Sequence, residues 1–156
     1  MSRSVVLTCA LIAMIPAVRA ADPQSCPVTR PPDPAFAPLY LPHPLRTGFY
    51  VGSAEFFARL PDGDLRGLST TAGIRVKFPW FAQDLGREEI RHAELTVSGR
   101  PLDGSTARLT VEGPNVAWTT HYFYSSILVF PVPGCWDITA RREQSELKFV
   151  VWVASF

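Results

Sequence analysis

An excess of one charge and clusters of basic residues are both missing from this 156-residue sequence. Its 15 Lys and Arg residues nearly balance its 14 Asp and Glu residues, and the longest basic run is Arg141-Arg142. A nucleic-acid-binding domain usually carries a basic patch or stripe that matches the charge of the phosphates. The sequence therefore predicts no nucleic-acid partner.

Metal ligands are also scarce. The sequence has three cysteines, two methionines and three histidines, without His-x-x-x-His or Cys-x-x-Cys spacing. Zinc and iron sites usually need such spacing. The triplet Asp62-Gly63-Asp64 would suit calcium, although a triplet of this kind is more typical of a hairpin turn. We expect no metal site and no cofactor. The three histidines are scattered along the sequence, at His43, His92 and His121.

Catalytic motifs are not evident either. The chain has no Gly-x-Ser-x-Gly elbow, and the paired carboxylates Glu88 and Glu89 are adjacent in sequence, where side chains diverge. We therefore expect that the protein is not an enzyme. A small hydrolase with an unrecognised site remains as the enzymatic alternative.

The N-terminal residues have the pattern of an export signal. Arg3 supplies a positive charge, residues 5–17 are almost entirely apolar, and Val18 and Ala20 occupy the two positions that a signal peptidase reads. We expect cleavage after Ala20 and an exported, periplasmic or secreted protein. A membrane anchor is the alternative, but a spanning helix needs about 20 apolar residues, so we predict no transmembrane segment in the mature chain.

Residues 21–47 are predicted to form a proline-rich arm. Eight prolines lie between Pro23 and Pro44, and proline cannot donate a hydrogen bond to a sheet interior. The arm also carries apolar side chains, so we expect part of it to lie on the folded domain. Those side chains are Phe36, Leu39, Tyr40 and Leu41.

Residues 48–156 are predicted to form an all-β domain. Short runs alternate between apolar and polar residues and are bounded by turn residues, whereas the best helical candidate, residues 81–92, is interrupted by Gly86. The spacing of the turns is typical of an immunoglobulin-like antiparallel β-sandwich of seven or eight strands. The predicted strands lie in residues 56–60, 74–80, 93–98, 107–111, 127–130, 136–140 and 147–153, with an eighth in 48–53.

Four runs resemble those of a family of small exported bacterial proteins of unknown function. The run GCWDIT at residues 134–139 is followed by LKFVV at 147–151, an early CPVT lies at 26–29, and GRPLDG lies at 99–104. The resemblance implies an immunoglobulin-like sandwich in the cell envelope and no assigned reaction. It therefore favours a structural or binding accessory module whose partner is a protein or polysaccharide of the envelope.

After removal of the signal, Cys26 and Cys135 are the remaining cysteines. Disulfides persist in exported proteins. Trp136 and Ile138 are predicted to point inward, so alternation turns Cys135 away from the core, where something must cover it. We predict a disulfide between Cys26 and Cys135 that ties the arm to the domain, with two free thiols as the alternative.

One segment is rich in aromatic residues. Trp118, His121, Tyr122 and Tyr124 lie within seven residues, and aromatic faces beside hydrogen-bonding groups suit sugar rings and peptides. A carbohydrate-binding module that uses Trp118, Tyr122 and Tyr124 is therefore the alternative function. The competing interpretation is packing, with Trp118 and Phe123 filling the end of the sandwich.

Overall fold

A computed structural model describes residues 23–35, 48–82, 94–112 and 123–156 of the chain. Most of these residues lie in strands, and apart from a short 3-10 turn at Pro23–Ser25 they contain no helix. The all-β prediction is therefore confirmed for this part of the chain. The strands are β1 (Phe49–Gly52), β2 (Phe57–Leu60), β3 (Leu65–Thr70), β4 (Gly73–Phe81), β5 (Leu95–Pro101), β6 (Thr110–Glu112), β7 (Phe123–Phe130), β8 (Gly134–Arg142) and β9 (Ser145–Ser155).

All nine strands belong to one mixed sheet. Its main path runs β1-β2-β4-β3-β9-β8-β5, and β7 continues from the other edge of β4 to β6. The pairs are antiparallel except for β3 and β9, which run parallel. The prediction of an antiparallel arrangement is therefore wrong at β3. The described residues contain nine strands rather than the predicted seven or eight, because the sequence pattern does not predict β3.

Strand β3 joins two groups of strands. The first group contains β1, β2, β4, β7 and β6, and the second contains β9, β8 and β5. Its first half, beginning at Leu65, pairs with Val153 and its neighbours in β9, whereas its second half pairs with the start of β4. Between the two halves, a Cβ on Gly67 would overlap the carbonyl oxygen of Arg75. Glycine is therefore required where β3 passes from one group to the other.

The main core lies between these two groups. On β4 the inward row includes Phe78 and Trp80, as the alternation predicts, and both rings contact Phe149 of β9, with centroids 5.6 and 6.0 Å away. The indole N–H of the fully buried Trp80 donates to Ser126 Oγ at 2.7 Å. Buried polar groups need partners of this kind, so the bond lets an indole occupy the core.

A second aromatic cluster lies on the opposite side of the first group of strands. Tyr50, Phe57, Phe81 and Phe123 alternate with inward residues of β1, β2, β4 and β7, so they point away from the main core. Phe57 stacks on Phe81 with ring centroids 5.2 Å apart, and Tyr50 meets both rings edge-on. We call these four residues the outer aromatic cluster.

The described part of the arm lies on the second group of strands. Cys26 is buried, and Thr29 is hydrogen-bonded to β9. The predicted signal at residues 1–20 and the four apolar arm residues between 36 and 41 lie outside the described residues. No helix in the part of the chain that the structure describes is long and apolar enough to cross a membrane.

Candidate functional site: the arm groove

The arm is held by a disulfide at the start of β8. The sulfur atoms of Cys26 and Cys135 are 2.02 Å apart and the Cα atoms 5.5 Å apart, so the predicted pairing is present. Trp136 and Ile138 are buried in the main core, and Cys135 points to the other face of β8, where the arm covers it. Strand alternation therefore places this cysteine where an external segment can reach it.

A second attachment lies three residues farther along the arm. The backbone N–H of Thr29 donates to the carbonyl oxygen of Val150 at 2.9 Å, and the backbone N–H of Val150 donates to Thr29 Oγ1 at 2.8 Å. Thr29 thus pairs with the edge of β9 at Val150, three residues before Val153, where β3 begins to pair with β9. The N–H of Thr29 is a donor of the kind that a proline-rich segment is poor in, and its hydroxyl oxygen accepts the second bond.

Between these attachments and the turn after β2 lies a groove of about 380 Å³, which we call the arm groove. Trp152 is half-buried in it, as expected for an aromatic residue that is out of step with the inward Val151 and Val153. An indole beside polar groups suits a ligand with both apolar and hydrogen-bonding surface. The lining residues are Pro23, Val28, Thr29, Arg30, Pro31, Phe49, Leu60, Pro61, Asp62, Gly63, Asp64, Val150, Val151 and Trp152.

Charged side chains line the two walls of the groove. On the arm side, Arg30 is exposed and forms no ion pair within the described residues. On the turn side, Asp62 accepts a hydrogen bond from the backbone N–H of Gly48 at 2.7 Å, and Asp64 pairs with Arg66 at 3.1 Å. The two carboxylates therefore hold the turn, and the neighbouring guanidinium opposes the binding of a calcium ion to Asp64.

A second depression, of about 280 Å³, lies on the outer face of β5 and β8, and we call it the β5–β8 pocket. Its floor carries the hydroxyl groups of Ser98 and Thr139, with Arg100 paired to Asp137 at 3.2 Å. Arg108 reaches it from the segment between β5 and β6 and donates to the carbonyl of Ala107 at 3.1 Å.

A glycine allows this segment to approach β5. The backbone N–H of Leu109 donates to the carbonyl of Gly99 at 3.3 Å, and a Cβ on Gly99 would lie 3.0 Å from the Leu109 side chain. Leu109 packs against the main core, which leaves Arg108 on the side of the pocket. Sequence reasoning missed this pocket because Arg100, Arg108 and Asp137 are brought together only by the pairing of β5 with β8.

Further along the same face, Glu146 forms hydrogen-bonded ion pairs with Lys148 and Arg141, each at 2.6 Å. The hydrogen bond from Lys148, and then that from Arg141, lowers the pKa of the Glu146 carboxyl below its usual value. The outer face of β5, β8 and the first half of β9 is thus largely polar and carries charges of both signs.

The structure describes only the end of the aromatic segment, from residue 123 onward. Trp118, His121 and Tyr122 lie outside the described residues, and the backbone of Tyr124 lies in β7 opposite Trp80. Phe123 packs on Phe81 in the outer aromatic cluster, with ring centroids 5.8 Å apart, so it does not fill the end of the main core. The carbohydrate-binding surface predicted from this segment stays a prediction.

Catalytic groups are not assembled on β9. Ser145 and Lys148 have the Ser-x-x-Lys spacing of some nucleophilic enzymes, but residues three apart on a strand point to opposite faces. Lys148 instead bonds to Glu146. The three histidines and the pair Glu88 and Glu89 lie outside the described residues. Among the residues that the structure describes, no three His, Cys, Asp or Glu side chains form a group that would hold a metal ion.

Comparisons with known proteins add no relative to this description. No known protein family matches the chain, and no curated protein is similar to it at a significant level. The resemblance of its sequence runs to exported envelope proteins therefore stays a prediction.

Proposed function

We propose that the protein is an exported, non-enzymatic binding module of the cell envelope, built on an immunoglobulin-like β-sandwich. The strand order supports this fold. In one group the strands lie side by side in the order β3, β4, β7, β6, and in the other they lie in the order β9, β8, β5. An immunoglobulin sandwich with four strands in one sheet and three in the other has the same order of neighbours. The hairpin of β1 and β2 is an addition to this scheme.

The observation that carries the binding role is the arm groove. A disulfide and a two-way hydrogen bond to Val150 fix the arm along β9, and the arm supplies one wall of the groove. A covalently fixed wall reduces the conformational entropy that a binding surface loses when it takes up a ligand. The occupant is a protein or a polysaccharide of the envelope.

The disulfide between Cys26 and Cys135, which are 109 residues apart in the sequence, is compatible with export, because disulfides persist in an oxidising compartment. The first experiment is therefore fractionation of a bacterium that expresses the full chain. We expect a periplasmic or secreted protein that begins at Ala21 and has no free thiol. A version without residues 2–20 is the control and should stay in the cytoplasm with reduced cysteines. Uncleaved chain in the cytoplasm would contradict export.

The binding role is tested with the exported protein and washed envelopes in a co-sedimentation experiment. Trp152→Ala changes the groove, so it should reduce the bound fraction severalfold. Leu68→Ala is the matched control because Leu68 is 67% exposed and lies outside the groove. If neither the unmodified protein nor the control sediments with envelopes, the proposed binding role is wrong.

A further inference from the structure

We infer that the ligand of this module is an anionic polysaccharide, bound across the outer face from the β5–β8 pocket to the arm groove. The inference rests on the proposed function and adds the chemical class of the ligand and the residues that contact it. Three observations support it: the continuity of the two depressions, the charge between them, and the side chains available for sugar hydroxyls and rings.

The two depressions are neighbours on one surface. Arg100 of β5 lies opposite Asp137 of β8, and Asp137 lies opposite Val150 of β9. Val150 in turn bonds to Thr29 and lines the arm groove. Adjacent strands are about 4.8 Å apart, so only two strand spacings, about 10 Å, separate Arg100 from the groove. A linear polymer that crosses the strands reaches both depressions.

This surface carries two arginines without a carboxylate partner, whereas the carboxylates on the groove wall, Asp62 and Asp64, bond to the backbone N–H of Gly48 and to Arg66. Its two ends carry Arg30 and Arg108, and neither guanidinium pairs with a carboxylate among the described residues. Arginine that is free of a protein carboxylate can form a bidentate pair with a ligand carboxylate. Between and beside these ends, the outward residues of β5, β8 and β9 add three cations and two carboxylates. They are Arg100, Arg141, Lys148, Asp137 and Glu146.

The remaining side chains suit a carbohydrate better than another polyanion. Ser98 and Thr139 offer hydroxyl groups that both donate and accept, and Asp137 is an acceptor for sugar hydroxyls. Trp152 offers an indole in the arm groove on which a sugar ring can pack.

The test measures binding of the exported, disulfide-bonded protein to polygalacturonate, with neutral dextran of similar length beside it. We expect saturable binding to polygalacturonate that weakens as salt is raised, and no binding to dextran. Arg30→Gln and Arg108→Gln should each weaken binding about tenfold, because each removes a charge-assisted contact. Arg75→Gln is the matched control, since Arg75 is an exposed arginine that pairs with Glu112 on the other group of strands.

Several results would overturn the inference while leaving the proposed function intact. One is the failure of a correctly exported, envelope-binding protein to bind polygalacturonate. Another is equal loss in Arg75→Gln, which would mean attraction by net charge alone. Equal affinity for single-stranded DNA would contradict the assignment to a carbohydrate. The proposed function itself fails on different readouts, namely a cytoplasmic chain with free thiols or an exported protein that does not sediment with envelopes.

Discussion

The two outer faces of the strand groups carry opposite kinds of surface. The outer face of β1, β2, β4 and β7 holds the outer aromatic cluster, in which Phe57 has no solvent-exposed area. The outer face of β5, β8 and β9 holds ion pairs, hydroxyl groups and the disulfide-bound arm. In both groups of strands, the residues that point toward the main core are apolar. The faces that point away from the main core therefore differ far more than those that form it.

This difference separates stability from recognition. Aromatic rings that are buried against one another stabilise the fold and are not available to a ligand. Exposed ion pairs contribute little to stability but leave charges and hydroxyl groups at the surface. We therefore expect substitutions on the aromatic face to lower stability, and substitutions on the polar face to change binding.

The largest effect is expected for Phe57→Ala. Removal of a fully buried phenyl ring that stacks on Phe81 should lower the free energy of unfolding by about 3–5 kcal/mol. Urea denaturation of the purified protein measures it, with Leu68→Ala as the exposed control. A loss below about 1 kcal/mol would mean that the outer aromatic cluster adds little to the fold, and the contrast between the faces would disappear.

The next effect is that of the disulfide. Replacement of both Cys26 and Cys135 by serine should lower the free energy of unfolding by about 2–4 kcal/mol, because the loop they close is long. Denaturation with and without a reducing agent gives a matched pair of measurements. The reduced wild-type protein and the double variant should agree. If reduction leaves the denaturation curve unchanged, the arm adds nothing to the stability of the polar face.

Sequence reasoning predicts the inward rows but not the coverage of the outer faces. Trp80 and Trp136 are placed correctly because alternation is a local property of a strand. Phe57 alternates with inward residues and was not predicted to be buried, since its burial depends on Tyr50 and Phe81 from other strands. Local pattern does not contain such long-range contacts.

Strand β3 was missed for a related reason. In the sequence LRGLST only Leu65 and Gly67 are buried, and a glycine in the middle of a run indicates a turn more often than a strand. The structure uses that glycine for the close approach to Arg75 as β3 changes partners. The arm groove was missed with it, because the groove lies beside the part of the β9 edge that β3 leaves unpaired.

A smaller, pH-dependent effect is expected at Tyr50. Burial raises the pKa of its hydroxyl group above the ordinary value of 10.0, and the charge of Arg59 only partly opposes this. The unfolded chain therefore ionises first at alkaline pH. The contribution of neutral Tyr50 to stability should be complete below pH 10.0 and be lost as the pH rises through the higher folded pKa.

Thermal unfolding between neutral and alkaline pH tests this, with Tyr50→Phe as the comparison. The variant should lose less stability than the unmodified protein as the pH rises past 10.0. Parallel curves for the two proteins would show that Tyr50 ionises as readily in the folded state as in the unfolded chain. The hydroxyl group would then reach solvent, and the aromatic face would be less closed than its burial indicates.

The smallest effect is expected on the polar face, for the pair of Arg100 and Asp137. The two side chains are 71% and 26% exposed, and exposed ion pairs contribute about 0.2–1 kcal/mol. Asp137→Asn, Arg100→Gln and the double variant form a cycle that isolates the pair energy from other effects of each change. We expect a coupling energy in this range that decreases as salt is added, because the charges lie at the surface. A coupling well above about 1 kcal/mol would place the pair among the interactions that hold the fold, and the polar face would then resemble the aromatic one in its contribution to stability.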